Sequence, residues 1–346
     1  MGYHAKLGTL YDKVKRLEAL ASWLAKELAP EKLEVVRRAA YLAKADLVTE
    51  LVQEFSSLQG IMGKEYALLS GEDPEVAEAI YEHYLPLHAG GELPKTLPGA
   101  LVALADKLDT ICAFFAAGER PTGAADPFGL RRAAYGFIEI VLAHNLRFSL
   151  CQAVREALRL LEELLPVEEG LEEEIITFIG RRLEGALVGR GLAEDLVQAV
   201  MAVGYDDLLD TFRRAQALEK VRKSADFPAL AVGFKRVMNM VKKLTQELPF
   251  EEGLLVEEAE KALWQAYLDV KEQSRPYLEA GDYEAALREF LKLKAPIDRF
   301  FDEVFVMVED QALRENRLAL LQRIARLFLS VADLSFLRDE AAKEVL

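Results

Sequence analysis

The sequence predicts an all-α protein, on three observations. Apolar residues recur at steps of three and four along nearly the whole chain, strand-like alternation is hardly seen, and the stripes are separated by Gly and Pro clusters. Leu7, Leu10, Val14, Leu17, Ala21, Leu24 and Leu28 fall on one helical face, and Pro30 stops that helix. Comparable stripes run through 33–56, 75–84, 98–116, 129–164, 171–187, 193–220, 229–247, 254–279, 283–309 and 311–338. The breaks between them fall at 60–63, 71–74, 86–99, 118–127, 166–170, 189–191 and 249–253.

A chain of 346 residues suggests two domains at roughly 100–200 residues each. The acidic run Glu162, Glu163, Glu168, Glu169, Glu172, Glu173 and Glu174 around Pro166 and Gly170 places the expected division near 165, giving 1–165 and 166–346. No fixed-period repeat is visible, which argues against a helical solenoid. With 51% hydrophobic and 29% charged residues the composition excludes disordered and disulfide-rich classes. The two cysteines, Cys112 and Cys151, have no partner at metal spacing and fit a reducing compartment. No apolar run is long enough to cross a membrane, and the start lacks the pattern of a signal peptide, so a cytoplasmic location is expected.

Two local patterns point to chemistry. Asp46 and Asp106 on separate helices, with His83 between them, resemble the HD superfamily, in which His and Asp side chains hold a divalent metal that activates water for phosphate ester hydrolysis. In Lys44-Ala45-Asp46, however, Ala45 stands where the paired His belongs, and no His lies near Asp12 and Lys13. The expectation is therefore a vestigial site without metal, its acids capping helices or pairing with Lys or Arg. The turn Gly60-Ile61-Met62-Gly63-Lys64 lacks the spacing of a phosphate-binding loop.

The second pattern is a concentration of positive charge. The net charge is −15, from 43 Lys and Arg against 58 Asp and Glu, which argues against indiscriminate nucleic-acid binding. Between 213 and 243, nonetheless, nine basic residues face only Glu219 and Asp226, a local balance of +7. Lys235, Arg236, Asn239, Lys242 and Lys243 can share one helix face, with cations for phosphates and Asn239 for a base edge or ribose hydroxyl. Further on, Arg314 and Arg317 are expected on an exposed face with Asn316 near it, whereas Phe300, Phe301, Phe305 and Met307 have spacings typical of core.

Ordered multiresidue matches extend these readings. Lys6-Leu7-Gly8-Thr9-Leu10-Tyr11-Asp12-Lys13-Val14, the stretch from Lys44 to Phe55, Leu58 to Gly63, Glu82-His83-Tyr84-Leu85-Pro86, Ala105-Asp106-Lys107-Leu108-Asp109-Thr110, Pro121-Thr122-Gly123, Asp126-Pro127-Phe128 and Leu130 to Ala134 resemble the beta subunit of bacterial two-subunit glycyl-tRNA synthetases. Lys235-Arg236-Val237-Met238-Asn239 and Leu313-Arg314-Glu315-Asn316-Arg317-Leu318 resemble that family's anticodon-binding region, and the latter is also similar to the helical anticodon-binding domain of arginyl-tRNA synthetases.

The resemblance implies an HD-like domain over 1–165 and a tRNA-binding region over 166–346, together forming a C-terminal fragment of a longer subunit. It implies glycine tRNA and the synthetase alpha subunit as partners, with neither DNA nor membrane. ATP and Mg would serve the holoenzyme, this fragment having no cofactor or catalytic residue of its own. The implied tRNA contacts are Lys235, Arg236, Asn239, Lys242, Arg314, Asn316, Arg317, Arg131 and Arg132. Ala124-Ala125 where the family has Ser-Lys, and Glu139 where it has Arg, remove positive charge and shift the expected contacts to the second half. The rival readings are an HD-type phosphohydrolase using Asp46, His83 and Asp106, and a docking platform for the alpha subunit.

Overall fold

A computed structural model describes residues 1–338. A short antiparallel hairpin, β1 (Gly2–His4) and β2 (Gly8–Thr9), precedes α1 (Leu10–Leu28). Thr9 caps α1 by accepting from the Asp12 amide at 3.2 Å, while the Asp12 carboxylate accepts from the Thr9 amide at 2.9 Å. There follow α2 (Leu33–Leu42), α3 (Glu50–Glu54), α4 (Ile61–Leu69), α5 (Pro74–Glu82), α6 (Leu97–Ala116), α7 (Leu130–Ala143), α8 (Leu150–Arg159) and α9 (Leu171–Gly189). The long stripe over 129–164 is two helices, because Asn145 adopts a left-handed conformation at φ 52° and Ser149 caps a fresh start.

The remaining helices are α10 (Glu194–Met201), α11 (Leu208–Arg222), α12 (Phe227–Val241), α13 (Glu258–Ala280), α14 (Tyr283–Phe290), α15 (Lys294–Glu303) and α16 (Gln311–Leu329). The protein is thus all-α apart from the hairpin among the described residues. No described helix is long and apolar enough to cross a membrane.

Two compact units form: Met1–Ala186 with Asp206–Leu209, and Leu187–Tyr205 with Asp210 onward. The acidic stretch that the sequence offers as a boundary is tied into the first unit. Arg120 Nε reaches Glu174 at 2.6 Å and Arg155 Nε reaches Glu172 at 2.8 Å. In that unit α6 is the central helix, buried on nearly every face and packed by α1, α2, α5, α7 and α8. Asp106 and Asp109 are therefore carried into the interior by the same helix that supplies the apolar core.

The second unit gathers α12 through α16 around Phe234, Phe290, Phe300 and Phe328, each essentially fully buried. Phe328 lies 5.0 Å from Phe234 and 5.1 Å from Phe290 between ring centroids. This core holds one face of α12 and leaves the opposite face to solvent.

Thr9→Ala removes a cap and its reciprocal bond. We expect a loss of about 1 kcal/mol in urea unfolding, with Asp12→Ala giving a loss of similar direction.

Candidate nucleic-acid interface and a buried charge cluster

The first unit brings His83 and Asp106 together, and it does so around a lysine. Lys44 Nζ lies 2.9 Å from His83 Nε2 and 3.1 Å from Asp106 Oδ2, and 4.2 Å above the Tyr84 ring. His83 Nδ1 donates to the Ile80 carbonyl, so Nε2 is left as the acceptor that Lys44 uses. Burial, followed by the Lys44 charge, holds the His83 pKa well below its ordinary value, consistent with a neutral ring. Burial also lowers Lys44, with Asp106 opposing that shift.

Lys13 and Arg16 from α1 complete the cluster. Lys13 Nζ is 3.2 Å from Asp106 and 3.0 Å from Asp109, and Arg16 Nε donates to Asp109 at 2.7 Å. Burial opposes charge on Lys13 and Asp106 alike, but their partners outweigh it: the two aspartates raise the Lys13 pKa, and Lys44 with Lys13 lowers that of Asp106. Burying such a network costs desolvation that offsets much of its attraction, yet removing one member leaves an uncompensated buried charge.

Asp46 is elsewhere engaged. Its Oδ2 accepts from the amides of Gly60 at 2.7 Å and Gly63 at 3.1 Å, at the start of α4. The glycine turn is therefore an anion cradle whose anion is the protein's own carboxylate. Gly60 has φ +79°, and a Cβ there would meet the Tyr84 ring at 2.7 Å.

These residues do not fit a catalytic metal. The His83 nitrogen that would ligate accepts from an ammonium, Asp46 faces a helix start, and no described group of three or more His, Cys, Asp or Glu side chains could hold an ion. No hydrolytic step follows from this geometry. Asp46 caps a helix start and Asp106 pairs with Lys13 and Lys44.

Arg131 and Arg132 lie on the first turn of α7. Arg131 donates to the Gly123 carbonyl at 2.7 Å and steadies that loop, whereas Arg132 is exposed.

In the second unit α12 presents the expected basic face. Arg236, Asn239, Lys242 and Lys243 are exposed and Lys235 is half-buried, while Phe234 and Val237 are fully buried behind them. The Arg236 guanidinium sits 4.4 Å from the Phe301 ring centroid, and Lys242 Nζ donates to Asn239 Oδ1 at 2.9 Å. Other members of the +7 stretch are used internally. Arg214 is buried and donates to the Val200, Gly204 and Val331 carbonyls, and Arg222 pairs with Asp195 at 3.0 Å.

The exposed face expected for Asn316 and Arg317 is not there. Asn316 is 2% exposed, and its amide group both accepts from and donates to the Glu251 backbone, at 2.7 and 3.0 Å. Arg317 is 5% exposed, donates to Glu260 at 2.5 Å and to the Phe305 carbonyl at 2.8 Å. Glu260 also accepts from the amides of Val256 and Glu257, so one buried carboxylate caps α13 and anchors Arg317. Arg314, half-buried, donates to the Val308 carbonyl at 2.9 Å. These three side chains hold loops; a nucleotide could engage Asn316 or Arg317 only by breaking those bonds.

The loop they hold corrects a second expectation. Val304 and Val306 are buried, at 6% and 3% exposure, while Phe305 and Met307 are exposed at 73% and 54%. The helix ends at Glu303 and exposure alternates from Val304 to Met307 in the non-helical segment beyond it, so helical spacing gives the wrong environment for these two. A phenylalanine is thus displayed on a loop pinned through its own carbonyl.

The comparisons with known proteins bear on both units. The family model described as glycyl-tRNA synthetase beta subunit matches residues 1–202, more than half of the chain. The chain belongs to the glycyl-tRNA synthetase beta subunit family. A second model, the DALR anticodon binding domain, matches residues 231–334, which include α12 from Ala231 onward, the pinned loop and α16. Relatives called glycine tRNA ligase beta subunit include those of Syntrophus aciditrophicus, 44% identical over 98% of this chain and 49% of the relative, and Geotalea uraniireducens, 48% identical over 96% and 48%. That of Myxococcus xanthus is 45% identical over 98% of this chain and 50% of its own length. The chain spans about half the length of these curated relatives.

Sequence reasoning missed one basic group, formed by Lys271 and Arg275 on α13 with Arg323 and Arg326 on α16. The spacings of four and three were visible, but only packing of the two helices shows that they line one groove.

Two measurements test the buried cluster. Asp109→Asn leaves Lys13 and Arg16 short of their shared partner, and we expect a loss of about 3–5 kcal/mol in urea unfolding; a loss below about 1 kcal/mol contradicts the network. Burial, ahead of the partly compensating Asp106 and the neighbouring Lys44, lowers the Lys107 pKa to about 8 from 10.5. Between those values the unfolded chain binds more protons than the folded one, so stability rises with pH across that window. The wild-type stability relative to Lys107→Met should therefore increase from pH 8 to 10.5. Parallel curves would refute the shift.

Proposed function

We propose that this chain supplies the tRNA-recognition part of a glycine tRNA ligase, binding glycine tRNA on the anticodon side. The observation that carries the reading is the exposed cationic face of α12, with Arg236 stacked on Phe301, inside the span matched by an anticodon-binding domain. Lys235, Arg236 and Lys242 hold phosphates, and Asn239 contributes a side-chain amide for a base edge or ribose. Phe305, displayed at the pinned loop, offers a face on which an unpaired base stacks. Asn316, Arg317 and Arg314 serve by fixing that loop and the 246–251 segment, while Arg132 is a secondary phosphate contact from the first unit.

Charging with glycine, using ATP and Mg, belongs in this reading to the assembly with the separate alpha subunit. The first unit works without metal: its central cation is a lysine, which neutralises Asp106 but offers no Lewis acid to polarise water. Its folding therefore does not depend on a divalent ion.

Fluorescence anisotropy with glycine tRNA tests the interface. Lys235→Ala/Arg236→Ala should weaken binding and reduce the slope of log affinity against log salt by about 1–2. Phe305→Ala should weaken binding by about 1–3 kcal/mol, with little change in that slope. Unchanged affinity in both variants would overturn the assignment. Chelation by EDTA should leave the melting temperature unchanged, and a large fall would contradict the lysine-centred account.

A further inference from the structure

A groove of about 490 Å³ lies within the second unit, away from the α12 residues discussed above. Its volume is in the range of about 300–1,000 Å³ typical of ligand clefts. One wall is α13, where Tyr267, Lys271 and Arg275 follow at intervals of four residues; the other is α16, with Arg323, Arg326 and Leu327. Such intervals place each set on a single helix face.

The charge on these walls is unevenly satisfied. Arg326 pairs with Glu247 at 2.9 Å. Lys271 and Arg275 are exposed and take part in no ion pair among the described residues, the Lys271 ammonium instead lying 5.7 Å from the Tyr267 ring centroid. Arg323 rests 5.0 Å above the Phe250 ring. Phe250, Trp264 and Tyr267 form a packed series, with centroids 4.2 and 5.5 Å apart, so the aromatic side of the groove is backed by a fixed stack. Four cations line the groove against two carboxylates, Glu247 and Glu279, and with Arg326 paired to Glu247 the unpaired Lys271 and Arg275 leave a local positive excess that attracts an anion. Cations beside Leu327 and the uncovered edge of Tyr267, a ring otherwise buried at 6% exposure, match a nucleotide in particular, phosphate to the first and base to the apolar edge.

We propose that this groove binds an unpaired nucleotide of RNA with its flanking phosphates, as a second contact separate from the α12 face. Lys271 and Arg275 hold phosphates, Arg323 and Arg326 line the opposite wall, and the base lies against Tyr267 and Leu327. The inference rests on the reading of this unit as RNA-binding, but it names a different surface.

The test uses the full chain and a single-stranded RNA octamer carrying 4-thiouridine, followed by anisotropy and by mapping of photo-crosslinked peptides. The side chains of Lys271 and Arg275 make no hydrogen bond among the described residues, so Lys271→Ala/Arg275→Ala is expected to fold normally, which circular dichroism checks. The expected result is crosslinking to α13 or α16 and a salt slope shallower by about 1.4 in the double variant, from two lost phosphate contacts at about 0.7 each. Absence of octamer binding, crosslinks confined to other elements, or unchanged affinity in the variant would overturn the groove. Displacement of the octamer by inorganic phosphate at equal phosphate concentration would also overturn it, since the groove would then be a simple anion site. If glycine tRNA binding falls in Lys235→Ala/Arg236→Ala but not in the groove variant, the groove fails while the proposed function stands.

Discussion

A charge carried into a helical core needs an opposite charge at contact distance, and each unit is organised around that requirement. In the first, α6 brings Asp106 and Asp109 inside, where Lys13, Arg16 and Lys44 meet them from α1 and the segment after α2. In the second, Glu260 is fully buried and is satisfied by Arg317 and two amides at the start of α13. These partnerships fix which helix faces pair, and they also decide which cations remain for a ligand. Exposed cations outside these partnerships include Arg236 and Lys243 at α12 and Lys271 and Arg275 on α13.

The lysine at the centre of the first unit has a chemical consequence. An ammonium neutralises a carboxylate and donates to an imidazole, but it cannot carry a bound water towards hydroxide at neutral pH. The arrangement of His83 and Asp106 around Lys44 keeps the electrostatic function of a bound cation without its reactivity. Asp46 likewise keeps an acid at its position while serving the amides of Gly60 and Gly63. A helical scaffold so filled supplies shape and surface, and the proposed function gives the recognition chemistry to the other unit.

Much of this was legible in the sequence, for identifiable reasons. Helix stripes follow from periodicity, and the basic face of α12 follows from spacing, because a surface helix needs only its own register to be read. The absence of a His beside Asp46 was likewise plain. What replaced it was not, since Lys44 meets His83 and Asp106 only after three separate segments pack. Periodicity alone places Asn316 and Arg317 on an exposed face, because a polar residue on an apolar helix usually faces water. Here the helix is covered by loops whose backbone groups need partners, and those residues supply them. Phe305 and Met307 differ for the opposite reason: helical spacing does not hold beyond Glu303, where the helix ends.

The proposed function requires that this chain by itself recognise an anticodon. Its most direct measurement is the affinity of the unmodified chain for glycine tRNA and for the same tRNA with only the anticodon bases exchanged, compared across a salt series. The account predicts a preference for the cognate anticodon that persists as salt weakens both affinities. Equal affinity for the two at every salt concentration would mean that the basic face reads phosphates alone, and would contradict it.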